Sequence, residues 1–289
     1  MIRIKLQVEL LYEIDDPQGA DFVFNLHAAH TACQLVSAET LWLSQPVVSS
    51  IHTDPATGNR YLRLRGMPGP LTVRYAATVD IAHHRVATGG IEEVPVVRLP
   101  AHTLGYLYPS RYCQSDRLIR FAINRFGALR QGYGRVLAIQ QFVRDQVTFA
   151  SSTSNSNTSA VDTLIEQVGV CRDFAHLMIT LCRAVNIPAR FATGTDYGAD
   201  PVLGPPDFHA YVEVFLGGRW YIFDPSGTAM PMGLVRVGTG RDAADVAFAT
   251  IFGGVRSQAP VIRTTAVEDL PRGVVLPHHC TDALSTDGG

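Results

Sequence analysis

The stretch Asp207-Phe-His209-Ala-Tyr211-Val-Glu-Val-Phe-Leu216-Gly217-Gly218-Arg219-Trp-Tyr-Ile-Phe-Asp224-Pro225 reads as two β-prone runs joined by a two-residue glycine turn. With Gly217 and Gly218 as the turn, Leu216 faces Arg219 and Tyr211 faces Asp224. Side chains alternate along a strand, so His209 shares a face with Tyr211. His209 and Asp224 then become diagonal neighbours, roughly 7–8 Å apart at the backbone and within side-chain reach. A slip of one residue would put them on opposite faces. The pairing matters because a general base needs a partner that fixes its tautomer and stabilises its protonated form.

Upstream, Gly169-Val-Cys171-Arg-Asp-Phe174-Ala-His176-Leu-Met178 opens a helix. Phe174, Leu177, Met178, Leu181, Cys182 and Val185 recur every three or four residues as one buried stripe, and Asn186 and Pro188 end it. Cys171 falls in the first turn. There the free backbone N–H groups and the positive end of the helix dipole favour the thiolate, the reactive form of cysteine. The same N–H groups suit an oxyanion formed by attack through Sγ. Cys182 lies about 16 Å further along the axis, too far for a disulfide, and reads as core.

The chain has 289 residues, 24 basic and 26 acidic, with 46% hydrophobic and 17% charged residues. No run of like charge occurs, which excludes a basic nucleic-acid arm, an acidic tail and a disordered chain. Lys5 is the single lysine and sits in an alternating strand-like stretch, so P-loop, Schiff-base and Ser-Lys chemistries are excluded. No Gly-x-Ser-x-Gly elbow is present, which argues against an α/β-hydrolase. Residues Met1–Leu10 alternate and lack an apolar signal core, and no apolar run approaches the roughly 20 residues that cross a bilayer. The five cysteines (33, 113, 171, 182, 280) are scattered and form no Cys-x-x-Cys pair. Free thiols and a cytoplasmic location are expected, with no membrane and no nucleic-acid partner.

The first hundred residues are strand-like: Ile2–Ile14, Phe22–His27, Leu35–Leu43, Tyr61–Arg65 and Leu71–Ile81, separated by Pro/Gly/Asp turns. They predict a β-sandwich-like domain over 1–105. Residues 106–289 read as a second, α+β domain. Helices are expected at Asp116–Phe126, Gly134–Val147, Ala160–Val168 and 171–186, with the third opened by the capping box Ser159-x-x-Asp162. Strands are expected at Ala189–Thr195, His209–Leu216, Arg219–Phe223, Leu234–Val237 and Pro260–Val267.

The blocks Gly169-Val-Cys171-Arg-Asp-Phe-Ala-His176, Asn186-Ile-Pro-Ala-Arg190, Phe208-His209-Ala-Tyr-Val-Glu213 and Trp220-Tyr-Ile-Phe-Asp224-Pro225 resemble the transglutaminase-like superfamily. More narrowly, they are similar to its bacterial members of the cysteine-protease type, which carry a β-rich region ahead of the core. The resemblance runs over about residues 105–245. It implies a papain-like core of helices packed on an antiparallel sheet and a triad of Cys171 as nucleophile, His209 as general base and acid, and Asp224 as orienter. It also implies a thioester formed with a peptide or protein substrate and no cofactor. The superfamily includes proteases, amidases, deglycosylases, crosslinkers and inactive members, so hydrolysis, transamidation and a non-catalytic interaction module all stand as alternatives. No acidic cluster has calcium-loop spacing, which favours hydrolysis.

Other signals are given structural readings. His83-His84 and His278-His279-Cys280 lack spaced partners for a tetrahedral site, so no metal is expected. Gly238-Thr-Gly240-Arg-Asp-Ala243 reads as a turn, without the βαβ context of a dinucleotide site. His176 is turned about 140° from Cys171 and is assigned to packing or a polar contact. Arg172 and Asp173 are read as contacting substrate or capping the helix, with capping preferred. The segment Gly194–Pro206 is a lid or an ordinary loop, and Ser151–Ser159 has the same two readings. Asn155, Asn157 and a ring donor are the candidates for a second oxyanion donor.

Overall fold

A computed structural model describes residues 1–198 and 207–287. Its strands are β1 (Ile2–Ile14), β2 (Ala20–Phe24), β3 (Gln34–Leu43), β4 (Ser49–Thr53), β5 (Arg60–Gly66), β6 (Gly69–Ile81), β7 (His84–Val86), β8 (Thr148–Phe149), β9 (Val168–Gly169), β10 (Ala189–Thr195), β11 (His209–Leu216), β12 (Arg219–Phe223), β13 (Val235–Gly240), β14 (Ala249–Phe252), β15 (Val255–Ser257), β16 (Val261–Val267) and β17 (Ala283–Ser285). The helices are α1 (Ile119–Phe126), α2 (Tyr133–Gln146), α3 (Ala160–Glu166) and α4 (Cys171–Ala184).

Alternation in β1 builds the first layer. Ile2, Ile4, Leu6, Val8, Leu10, Tyr12 and Ile14 are buried, while Lys5 and Gln7 are exposed. β1 pairs antiparallel with β6 from Ile2–Ile81 to Ile14–Gly69. The sheet runs β15-β1-β6-β3, with β16 also on β1; the second runs β14-β2-β5-β4. Phe22, Phe24, Leu62 and Leu64 share the core between them.

Residues 249–267, expected inside the second domain, return to this sandwich: β14 pairs with β2, and β15 and β16 pair with β1. The expected division at residue 105 therefore does not separate two self-contained stretches of chain. The physical reason is edge protection, because β1 and β2 would otherwise leave open hydrogen-bonding edges. β17 likewise returns to pair with β7.

The other half has an antiparallel sheet in the order β12-β11-β10-β13. On β11, Val212, Val214 and Leu216 join the core around α4, whereas Tyr211 joins the core of the sandwich. The sheet thus lies between α4 on one face and the N-terminal sandwich on the other. The α+β class expected from the sequence is the class observed. Two amide side chains of the sandwich complete the outer edge of β13. Gln34 bonds Arg236 N (2.9 Å) and O (2.8 Å), and Asn59 bonds Thr239 N (2.9 Å) and O (2.8 Å). β13 continues through Gly238–Gly240, where the sequence suggests a turn; these edge contacts hold it extended.

Candidate active site

α4 begins directly after the short parallel pair β8–β9. Val170 is its N-cap, with extended backbone (φ −109°, ψ 175°), and Cys171 is the first helical residue. Asp173, fully buried, accepts from Val170 N through Oδ2 (2.9 Å) and from Ser154 Oγ through Oδ1 (2.9 Å). Arg172 donates to Asn155 O (2.7 Å) and to Ser154 Oγ. Asp173 therefore caps the helix, and both residues tie the 151–159 loop to its start. Asn155 Oδ1 accepts from Asn157 N (2.8 Å), a bond that closes the loop's own turn. Cys171 is partly exposed, which leaves its thiol open to a reactant.

The hairpin has the expected register, Leu216 opposite Arg219 and Val212 opposite Phe223. Gly217 (φ +56°) and Gly218 (φ +90°) supply the left-handed backbone that such a turn requires. His209 Nε2 lies 3.3 Å from Asp224 Oδ1. Cys171 lies close enough to the imidazole for its sulfur to help hold the ring's proton. Thus the structure brings Cys171, His209 and Asp224 together, with both His209 and Asp224 buried.

Burial opposes a charge on His209, but the Asp224 carboxylate and the Cys171 sulfur outweigh it, so the imidazolium is held well above the usual histidine range. Burial also opposes the charge on Asp224. The facing imidazolium and bonds from Ser226 Oγ (2.6 Å) and Ala229 N (2.9 Å) nevertheless lower it below the usual carboxylate value. A cysteine sulfur beside an imidazole that is itself backed by a fixed carboxylate is the arrangement for nucleophilic attack on a carbonyl.

Two members of this cluster are absent from the sequence reading. Ser226 holds Asp224 through both its backbone N (3.1 Å) and its hydroxyl. Asp196, just beyond β10, places Oδ2 3.8 Å from His209 Nδ1. Burial and the Asp224 carboxylate raise Asp196, partly offset by the imidazolium. The Gly194–His209 rung of the β10–β11 pair brings Asp196 there. Gly194 is needed at this rung because a Cβ would meet Val235 O at 2.1 Å. The proposed lid over Gly194–Pro206 falls largely outside the described residues, at 199–206.

His176 is a packing residue. It stacks on Tyr112 (5.0 Å between centroids) and accepts from Ala243 N through Nε2 (3.1 Å), and burial lowers it well below the ordinary histidine value. Cys182 and Cys113 are fully buried, and burial pushes the Cys113 thiol up to about 12. Among the described residues, no group of three or more His, Cys, Asp or Glu side chains converges on a metal position.

These features define a thiol–imidazole–carboxylate site at the junction of a helix and an antiparallel sheet, and the chain belongs to the transglutaminase-like superfamily. Residues 122–225 match the transglutaminase-like superfamily core, and residues 2–102 match the bacterial transglutaminase N-terminal domain. A crystal structure described as a "Putative Cysteine Protease" from Cytophaga hutchinsonii is similar along almost its whole length. It has a TM-score of 0.90 and 37% identity over 98% of this chain and 97% of that one. An uncharacterized protein of Mycobacterium leprae is 29% identical over 146 residues, 49% of this chain and 52% of that protein. An uncharacterized protein of Mycobacterium tuberculosis H37Rv is 34% identical over 110 residues, 34% of this chain and 35% of that protein. The chain spans about half or less of the length of these curated relatives.

Proposed function

We propose that the protein is a thiol hydrolase of peptide or amide bonds. The observation that carries this reading is the single cluster in which a partly exposed helix-start thiol meets a buried imidazole already paired to a carboxylate (3.3 Å). Cys171 thiolate attacks the substrate carbonyl, and the free N–H groups of the first turn of α4 face the developing oxyanion. His209 gives its Nδ1 proton to the leaving amine as the C–N bond breaks, leaving a thioester on Cys171. Water then adds to the thioester carbon, gives a proton back to His209 and releases Cys171 as thiolate. Asp224 holds the ring in place and keeps its charge throughout.

Iodoacetamide labelling with peptide mapping tests the first step. Cys171 is expected to label rapidly at neutral pH, and His209→Ala to remove that advantage. Cys33 and Cys280, partly exposed, serve as ordinary-thiol references, while buried Cys182 stays inert. Equal rates for Cys171 and Cys33, unaffected by His209→Ala, would refute the reading in favour of a non-catalytic module.

A further inference from the structure

We infer that Asp196 orients the water that hydrolyses the thioester. This inference rests on the hydrolase reading above and assigns a residue to its second half-reaction. Asp196 is 7% exposed and directly follows β10, beyond the rung that pairs Gly194 with His209. Its Oδ2 stands 3.8 Å from His209 Nδ1, whereas Asp224 occupies the Nε2 side of the same ring. Asp196 therefore faces the Nδ1 side of the imidazole and Asp224 the Nε2 side, so the two carboxylates flank opposite ends of the ring.

A separation of 3.8 Å is too long for a direct hydrogen bond. It suits one small molecule that carries two hydrogens and sits about 2.8 Å from each atom. Once Cys171 is acylated, its sulfur no longer shares a proton with Nδ1, and that nitrogen is free to accept one from water. A water bonded only to Nδ1 still rotates about that bond. A second bond to the Asp196 carboxylate fixes both O–H vectors and leaves an oxygen lone pair aimed elsewhere, as attack requires. In the step itself the water oxygen forms a bond to the thioester carbon. One water proton passes to His209 Nδ1, and the other stays on the product carboxyl group beside Asp196. The C–S bond breaks with its electron pair on sulfur, so the thiolate–imidazolium pair is regenerated. No oxidant, metal or further reactant is consumed.

Acylation by an ester whose leaving group needs no proton does not use this water, so the two half-reactions separate experimentally. With p-nitrophenyl acetate as probe, the parent is expected to show a burst of p-nitrophenolate followed by slower turnover. In Asp196→Asn the burst rate stays within about threefold, while turnover per burst site falls by about 10- to 100-fold. Acetyl-Cys171 then accumulates in the intact-protein mass spectrum, and hydroxylamine, a stronger nucleophile, restores turnover. The burst amplitude counts folded, reactive sites, so a folding defect reads as lost amplitude and does not imitate slow deacylation. Asp196→Glu, which keeps a carboxylate, is expected to deacylate faster than Asp196→Asn. Unchanged turnover per burst site in Asp196→Asn, or an equal fall in burst rate and turnover, would overturn the assignment. A parent without a burst that matches Cys171→Ala would overturn the hydrolase reading itself and this inference with it.

Discussion

Asp224 receives bonds from Ser226 N, Ser226 Oγ and Ala229 N besides facing His209, so its charge is fixed by groups that do not titrate. This makes it a permanent partner for the imidazolium. Burial alone would lower the His209 value, and it is raised because Asp224 and Cys171 outweigh that effect. A raised value means that the imidazolium persists above the usual 6.5 and is lost only as pH climbs through the higher, folded-state value. Asp224→Asn removes the largest favourable contribution. The His209 midpoint, followed by NMR of its ring carbon, should then fall toward the ordinary histidine value. Labelling of Cys171 near neutral pH should slow once the midpoint falls below the working pH, because the proton then no longer stays on the ring. An unmoved midpoint would show that Asp224 is only a structural neighbour. At this scale the helix-start thiol and the His–Asp pair are legible because each follows from local periodicity. Asp196 and Ser226 are not. Asp196 reaches His209 through the pairing of β10 with β11, and Ser226 acts through the turn after β12; neither contact has a repeat in the sequence to announce it.

The hairpin β11–β12 opens with His209 and delivers Asp224 directly after its last residue, and two independent devices hold its register. One is the turn, with positive φ at both Gly217 and Gly218. The other is burial on both faces of β11, with Val212 and Val214 in the α4 core and Tyr211 in the sandwich core. Gly218→Val forces a β-branched residue to φ near +90° and should cost about 1–3 kcal/mol in urea unfolding. The rapid, His209-dependent labelling of Cys171 should survive in the folded variant, since a slip would move Val212 and Val214 from the α4 core to the sandwich face and put the wrong side chains in both cores. Loss of that labelling without loss of stability would mean that the turn alone sets the register. The strands of this hairpin, together with β1 and β10, are readable to the residue because strict alternation or a glycine turn bounds them. β4, β14 and β15 are missed for a physical reason. All five β4 residues are exposed, and β14 and β15 span only Ala249–Phe252 and Val255–Ser257, so what makes them strands is the partner edge they complete.

At the scale of the molecule, the sandwich and the α4-covered sheet are joined by a polar seam as well as an apolar one. Arg190 on β10 and Arg236 on β13 both pair with Glu213 on β11, at 2.7 Å and 3.3 Å. Asp287 also reaches them: its side-chain carboxylate pairs with Arg190 and Arg236 (3.3 Å to the latter), and its backbone carbonyl accepts from Arg219. Thr31 in the sandwich holds the preceding residue through the Thr286 carbonyl, so one short segment bridges both halves. Two buried guanidinium groups are thus matched by two carboxylates, and removing one carboxylate strands a charge away from water. Asp287→Asn should therefore destabilise the protein by about 3 kcal/mol, the low end for a broken buried pair, because the Asp287 side chain keeps 25% of its surface exposed. The pH dependence follows from the direction of its shift. Burial works against ionisation of Asp287, but Arg236 and Arg190 lower it below its usual 3.8. A depressed value contributes stability that is present above about pH 4 and disappears as pH falls through the folded-state value. Urea unfolding at pH 7 should separate parent from Asp287→Asn, and the gap should close under strongly acidic conditions, where the parent carboxyl is itself neutral. A gap of the same size at both pH values would assign the loss to side-chain packing, and the seam would then be held by its apolar contacts and the Gln34 and Asn59 clamps on β13.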